Sequence, residues 1–472
     1  MFNIFIRHPY KTLLGICILS LIMHWPFLNK DLVGVHVWRQ TQTQTVVNNF
    51  VQDGLNILEP KRNDRAHTDR IERMEFPIMQ WLFAIAGKYI SSHIALSRIC
   101  SLIIGFFSII GMYRLGQIVF KNTFMALTAA FTLCFSPVFY YYTLNPLPDN
   151  FALCTAVWSL VYYCRYIESA KFISLLAGTA LLCLATLSKL PYILFGSVVI
   201  AHITSEGRQG HYREIIKVIA TYIIMLFPAL AWYLTVIPEW KGNNVTKGLF
   251  ETSTYTLESI WHTFRGTITS TLPELLLNFG AVLFFIYGLY LTIKTKWEQN
   301  TNIYSFFILS VSLCAYFIFE INMIELVHDY YLMPFLPVLF LVVAYGAGKF
   351  YNMRTVAIKP LIVLLFISLP VFAALRINGR WDTERPGFNS LYYEHKDELR
   401  TLIPEGAKCV VGNDVSHFIL LYYIDRKGWV FDTDQLYDYD LRFYIFEGAE
   451  YLLSDSKASE QAAIQQLIES TV

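Results

Sequence analysis

The chain has 472 residues; 55% are hydrophobic, 16% aromatic and only 15% charged, and the mean hydropathy is +0.42. This composition excludes an ordinary soluble globular enzyme and points to a polytopic membrane protein. The formal net charge of +1 gives no basic surplus, so nucleic acid is not an expected partner.

A membrane span needs about 20 mostly apolar residues. Eleven stretches read as spans, at approximately 12–28, 94–113, 122–143, 151–167, 172–187, 190–204, 217–235, 273–293, 303–321, 332–348 and 357–375. Residues 77–90 are apolar but short, which suits an interfacial or re-entrant segment. Arg7 and Lys11 precede the first span as they would in a signal peptide, but no small-residue cleavage site follows, so a retained anchor is expected. With the N-terminus in the cytoplasm, the inside loops collect most Lys and Arg, while the connections at 144–150 and 322–331 hold none. The first outside loop, 30–76, carries seven basic and seven acidic residues. An odd span count then sends the C-terminus outside.

Seven of the eight cysteines lie in apolar spans and Cys409 lies in the tail; with no CxxC or Cys/His cluster, structural thiols are expected rather than a zinc site. From Arg376 onward the character changes: 10 Lys/Arg face 17 Asp/Glu, a net of −7 against +8 for residues 1–375. Helix-like and strand-like pieces alternate there, so the expectation is a mainly α membrane domain, 1–375, followed by a small extracytoplasmic α/β domain, 376–472. The stretch VVGND lacks a glycine-rich nucleotide fingerprint. The outside loop 238–272 is polar enough for a lid, and Asn244-Val245-Thr246 within it is formally a glycosylation sequon.

Polar residues at the membrane edge are costly, which makes them functional candidates. Five groups fall on the outside face: His36-Val-Trp38-Arg39-Gln40-Thr-Gln42, Glu75-Phe-Pro77, Asn145-Pro-Leu-Pro-Asp149-Asn150, Ser188-Lys189-Leu-Pro191 and His328-Asp329-Tyr330-Tyr331. Each has a plain structural use. Arg39 and Lys189 suit headgroup anchors, Glu75 and Asp149 suit helix caps, and His328 with its tyrosines suits an aromatic belt. The Gln/Thr alternation suits a solvated strand or helix face. Taken together they describe a cationic, acid-containing cavity. Arg39, Lys189 and His328 would hold a phosphate. His36, Trp38, Gln40, Gln42, Asp329, Tyr330 and Tyr331 would contact sugar or acceptor. A carboxylate would deprotonate an attacking hydroxyl.

On VWRQTQT, MEFPIMQWL, LPDN, LSKLP and HDYYLMP, in that order, the first 375 residues resemble the GT-C glycosyltransferases. Within these they are most similar to bacterial relatives of the dolichyl-phosphate-mannose–protein mannosyltransferases and aminoarabinose transferases. The resemblance implies a polyprenyl-phosphate sugar donor, a lipid, glycan or protein acceptor, transfer outside the cytoplasm with inversion at the anomeric carbon, and residence in the inner (plasma) membrane. Members often place an acidic pair in the first outside loop, where this chain has Arg39 and Gln40, and some relatives have Asp where Gln42 stands. The catalytic carboxylate is therefore expected at Glu75, with Asp149 second and Asp31 and Asp53 as further candidates. A divalent cation, Mg²⁺ or Mn²⁺, stays open, because the superfamily contains both metal-dependent and metal-independent members. Two competing readings are a transporter or flippase for a lipid-linked sugar and an O-antigen polymerase or ligase. No inverted repeat supports the former, and the large early loop departs from the latter.

Overall fold

A computed structural model describes residues 2–66, 69–91, 93–240, 256–294, 301–325, 328–353, 358–432 and 436–455. The sequon at Asn244 and much of the expected lid lie outside these residues. The described chain divides into two compact units. One comprises Met1–Leu28, Met74–Phe76 and Arg98–Gly379; the other comprises Asn29–Arg73, Pro77–Ser97 and Arg380–Val472. The first loop thus folds with the tail, not with the helices that flank it in sequence.

The first unit is a bundle of apolar helices. Among the described residues six helices are long and apolar enough to cross a bilayer: Pro9–Phe27, Ile94–Phe120, Tyr212–Glu239, Thr301–Phe319, Asp329–Tyr351 and Lys359–Trp381. A seventh span results if Thr123–Cys134 and Pro137–Leu144, bent by 64° at Ser136-Pro137, count as one. The expected eleven spans are therefore not all continuous apolar helices. Phe172–Ser188 is a shorter apolar helix and Pro148–Ser169 a more polar one. Leu190–Val198 is 3-10 before Val199–Arg208, and Thr267–Leu276 is a π-helix before Val282–Lys294. Proline explains much of the difference: it lacks an N–H and collides with the preceding turn, so an unbroken hydropathy run becomes two elements.

Contacts inside the bundle follow the rules of membrane packing, where close backbone approach replaces the hydrophobic effect. Val282–Lys294 and Leu336–Tyr351 cross at Gly288 and Gly346; a Cβ on Gly288 would strike the carbonyl of Val342, and one on Gly346 that of Phe284. Arg98 is fully buried and donates to the carbonyls of Phe27 and Leu28, which pins the end of the first apolar helix. His24, also fully buried, has Nδ1 2.8 Å from the Ser20 carbonyl oxygen and Nε2 2.9 Å from that of Tyr140.

The second unit holds a three-stranded parallel sheet in the order β2-β1-β3, with β1 Lys408–Gly412, β2 Lys427–Phe431 and β3 Ala449–Leu453. Its central strand is buried along most of its length, as a parallel strand covered on both faces should be. Val37 and Trp38 of the first loop pack into the core of this sheet with Cys409, Val411 and Tyr423. Gly428 N–H donates to the Asn63 carbonyl and Arg65 N–H to the Gly428 carbonyl, so loop and strand share backbone hydrogen bonds. Asp414, after the VVGN turn, accepts from the N–H groups of Ile419 and Leu420 at 2.9 Å each, which occupies its carboxylate in closing the chain turn.

Candidate functional site

In the first unit, three motifs separated by up to 180 residues meet around Lys189. Asp149 sits in the first turn of Pro148–Ser169, and Lys189 directly follows the end of Phe172–Ser188. Their charged ends lie 3.7 Å apart, Asp149 2% and Lys189 16% exposed. The ammonium also stands over the rings of Tyr330 and Tyr331, 5.4 and 5.6 Å from the centroids. Those tyrosines belong to the 3-10 segment Asp329–Phe335, and His328 packs edge-on against both. Nδ1 of His328 lies 2.9 Å from the Met323 carbonyl. Tyr142 closes the cluster: its hydroxyl donates to Asp329 and its ring meets Tyr330 edge-on at 5.8 Å. Asn145 donates to the Tyr141 carbonyl and Asn150 to that of Ser101, so the LNPLPDN turn is fixed to its neighbours.

Glu75 reaches the same neighbourhood through its backbone. In a continuing helix the Leu187 carbonyl would accept from the N–H of residue 191, but Pro191 has no N–H. The orphaned carbonyl accepts instead from Phe76 N–H at 2.9 Å and from the Tyr233 hydroxyl at 3.1 Å. Trp232 Nε1 donates to the Met74 carbonyl at 3.0 Å and packs edge-on against Phe76. The half-buried Glu75 is thereby held between two tethered residues beside the turn that carries Lys189. Neither expected cap forms: the helix after Glu75 starts at Pro77 with no side-chain cap, and the helix of Asp149 starts at Leu147 likewise.

The cluster is acid-containing: Asp149 pairs with Lys189, Asp329 accepts from Tyr142, and Glu320 lies within the field of Lys189. Glu320 was missed altogether, although a lone acid at the end of an apolar helix is the signal that marks such residues. It is 5% exposed. Its Oε2 has no hydrogen-bond partner.

The remaining motif belongs to the second unit. The VWRQTQTQT stretch is helical, in Val37–Asp53, and is entered through His36 in the left-handed region. It is not the solvated face that alternation suggested: Arg39 is 6%, Gln40 0% and Gln42 6% exposed. Arg39 donates to the Gln42 side-chain oxygen, Gln42 donates to Glu72 at 3.5 Å, and Gln40 donates to the Val35 carbonyl at 2.8 Å. Arg62 lies 3.3 Å from Glu72 and 3.6 Å from Asp64, and His417 lies 3.3 Å from Asp64. A carboxylate does therefore stand next to Gln42, but it is Glu72, thirty residues further along, where spacing gave no clue.

Asp31 and Asp53 hold the loop to the tail. Asp31 pairs with Lys396 at 2.6 Å and accepts from Tyr393 at 3.0 Å. Asp53 pairs with Lys427 at 2.9 Å and Arg70 at 3.0 Å. Burial acts to raise the Asp53 carboxyl, but those two cations outweigh it and hold it below its ordinary value. Among the described residues no three His, Cys, Asp or Glu side chains gather as a metal site.

Residues 75–232 match the protein family described as dolichyl-phosphate-mannose-protein mannosyltransferase. No curated protein sequence matches the chain. Among solved structures, the chain is similar to ArnT from Cupriavidus metallidurans bound to undecaprenyl phosphate, with a TM-score of 0.62 at 10% identity over 94% of this chain and 88% of that one. It is similar to the oligosaccharyltransferase AglB from Archaeoglobus fulgidus in complex with an inhibitory peptide and a dolichol-phosphate, with a TM-score of 0.59 at 13% identity over 89% of this chain and 64% of that one. It is also similar to the arabinofuranosyltransferase AftD from Mycobacteria, with a TM-score of 0.54 at 12% identity over 89% of this chain and 33% of that one. The fold is that of the GT-C glycosyltransferases, and the likeness read from the sequence motifs holds in both kinds of comparison.

Proposed function

We propose that this membrane protein is a glycosyltransferase that moves a sugar from a polyprenyl-phosphate donor to a lipid, glycan or protein acceptor outside the cytoplasm. The observation that carries the reading is the cluster of Lys189 with Asp149, Tyr330 and Tyr331 at the ends of broken helices in an otherwise apolar bundle. A buried ammonium at such a place is expensive unless it has work to do. ArnT with bound undecaprenyl phosphate and AglB with dolichol-phosphate share the fold, which supports a lipid phosphate as the group handled here. The Lys/Arg bias of the loops supports a cytoplasmic N-terminus in the plasma membrane.

In this reading an acceptor hydroxyl attacks the anomeric carbon while the bond from that carbon to the phosphate oxygen breaks. The polyprenyl phosphate leaves with the bonding electrons, and a carboxylate takes the hydroxyl proton. Lys189, with His328 beside it, stabilises the charge that grows on the leaving phosphate. Glu75 is the base, because Asp149 already faces Lys189 and a paired carboxylate is a weaker proton acceptor. Tyr330, Tyr331 and Asp329 line the sugar. Arg39, His36, Trp38, Gln40 and Gln42 keep their assignment to phosphate and sugar as part of the proposal. Attack from the face opposite the leaving group inverts the anomeric carbon.

The test compares surface glycolipids and glycoproteins by mass spectrometry in cells with the gene, without it, and with Glu75→Gln or Lys189→Ala at equal protein level. Loss of one hexose or pentose in the deletion and both variants is expected. Profiles identical across all four strains would refute the reading.

A further inference from the structure

The amides of the first-loop helix outnumber what the proposed chemistry uses. Gln40, Gln44, Asn48 and Gln52 recur every fourth residue in Val37–Asp53, so they form one stripe along the helix. The stripe runs from fully buried Gln40 and Gln44 to exposed Gln52. At its open end lies a cavity of 360 Å³ in the second unit, lined by Asn48, Asn49, Gln52 and Asn63 and opposite them by Asp425 and Lys427. A neighbouring cavity of 370 Å³ shares Glu405, Asp425 and Arg426 with it, so the cleft continues.

The lining is held in place. Gln44 donates to the Asn48 side-chain oxygen at 2.8 Å, which turns the Asn48 amide nitrogen outward. Asn49 donates to the Lys61 carbonyl at 2.8 Å and to Asn63 at 3.1 Å, leaving its own side-chain oxygen uncommitted. The Gln52 side chain has no hydrogen-bond partner among the described residues, and the Gln44 Oε1 behind the cavity is buried without one. Fixed carboxamides that offer both donors and acceptors match a ligand whose groups are themselves both, which is the property of vicinal sugar hydroxyls. Charge argues the same way: Lys427 pairs with Asp53 at 2.9 Å, and the Arg426 guanidinium donates to the carbonyls of Arg400, Ile403, Ile424 and Asp425, so neither of these lining cations is turned toward a phosphate or nucleotide. Among the described residues Gly406 and Ala407 are the apolar lining of the first cavity and Ile403 and Pro404 that of its neighbour, too little apolar surface to grip a lipid chain.

We propose that this amide-lined cleft binds a neutral saccharide, the glycan part of the acceptor. The assignment rests on the glycosyltransferase reading for its purpose but not for its binding chemistry. With hydrogen bonds as the main contacts and no aromatic platform, the expected affinity is weak, on the order of 1 mM. The volume lies at the small end of ligand sites and suits one or two sugar rings.

Saturation-transfer NMR on the full-length protein in nanodiscs, with mannotriose, maltotriose, cellotriose and chitotriose as probes, tests it. At least one trisaccharide should give a transfer signal. Asn48→Ala and Gln52→Leu should each weaken that signal several-fold, and the double variant should abolish it with thermal unfolding unchanged. Release of polyprenyl phosphate from donor without acceptor is followed in parallel. Donor turnover with no trisaccharide signal, or a signal that both variants leave intact, overturns the cleft proposal while the enzyme reading stands. Saccharide binding lost in the variants, with no donor turnover by any preparation, supports the cleft and removes the enzyme reading instead.

Discussion

The ion pair at the centre of the membrane unit makes a quantitative claim about stability as well as chemistry. At 3.7 Å and an effective dielectric of about 20, the Coulomb attraction between Lys189 and Asp149 is roughly 4.5 kcal/mol. Much of this offsets the desolvation of two nearly buried charges, so the intact pair contributes little net stability. Breaking it is different. Lys189→Met leaves a carboxylate that is 2% exposed without its counter-ion, and the expected loss is about 3–5 kcal/mol. Asp149→Asn strands an ammonium that is 16% exposed and has two tyrosine faces near it, so about 2 kcal/mol is expected. The double variant Lys189→Met/Asp149→Asn removes both charges and should lie within about 1–2 kcal/mol of the parent, a coupling of roughly 3–6 kcal/mol. Reversible unfolding by SDS in mixed micelles measures all four corners of the cycle. Additive effects, with coupling under about 0.5 kcal/mol, would show that these charges do not meet and would remove the centre of the proposed site.

Three further outcomes follow from particular contacts. Gly346→Leu, placed where the backbone of Phe284 leaves no room for a Cβ, should cost about 3 kcal/mol or prevent assembly of the bundle, and near-parental micellar unfolding would refute the crossing. The Asp64 hydrogen bond raises His417 above its ordinary value, with Asp414 adding to it and burial and Arg62 opposing; its contribution is complete below about pH 6.5 and is lost as pH rises through the folded value, so hydrogen exchange near β2 should quicken with pH more steeply in the parent than in His417→Asn. Pro191→Ala offers Leu187 a helical N–H in competition with Phe76; stability should change by no more than about 1 kcal/mol while transfer falls at least about tenfold, and parental activity would show that the Phe76 tether does not position Glu75.

How much of this was legible in the sequence depends on what each residue signals locally. Hydropathy marked the membrane class and the apolar stretches, because bilayer burial acts on every residue of a run. It failed on continuity: 122–143 reads as one span, yet Ser136-Pro137 bends it by 64°. The alternating VWRQTQTQT stretch misled in the opposite direction. Its alternation left strand and helix face both open and suggested solvent exposure, but the helix is enclosed on most sides and shows no apolar stripe, and burial of Gln40, Thr41 and Thr43 leaves periodicity nothing to report. The expectation was that five polar groups share one face; the direct pairing of Asp149 with Lys189 at 3.7 Å was not legible, because the two lie forty residues apart. Glu72 and Glu320 were invisible for a different reason. Neither sits in a motif, and their neighbours, Gln42 and Lys189, come from sequence positions far away. The union of the first loop with the tail was hidden likewise, since no composition shift at residue 29 announces that it will share a core with β1.

What the sequence did carry, without its meaning being obvious, is the placement of proline. Pro148 opens the helix of Asp149, Pro191 follows Lys189 by two residues, and Pro334 lies within the 3-10 segment that presents Tyr330 and Tyr331. Each proline ends or prevents a helical hydrogen bond, and a backbone carbonyl without its N–H in an apolar bundle must find another donor. Leu187 shows the consequence, since the carbonyl that Pro191 strands is taken by Phe76 N–H and the Tyr233 hydroxyl. The requirement to satisfy that one group draws the segment 74–76 out of its own loop and into the membrane unit. A carboxylate is thereby brought beside a lysine more than a hundred residues away with no direct bond between them needed. Polar chemistry in this bundle is therefore built at helix breaks, where backbone groups freed by proline recruit their partners, and conserving those breaks matters as much to the site as conserving its charged side chains.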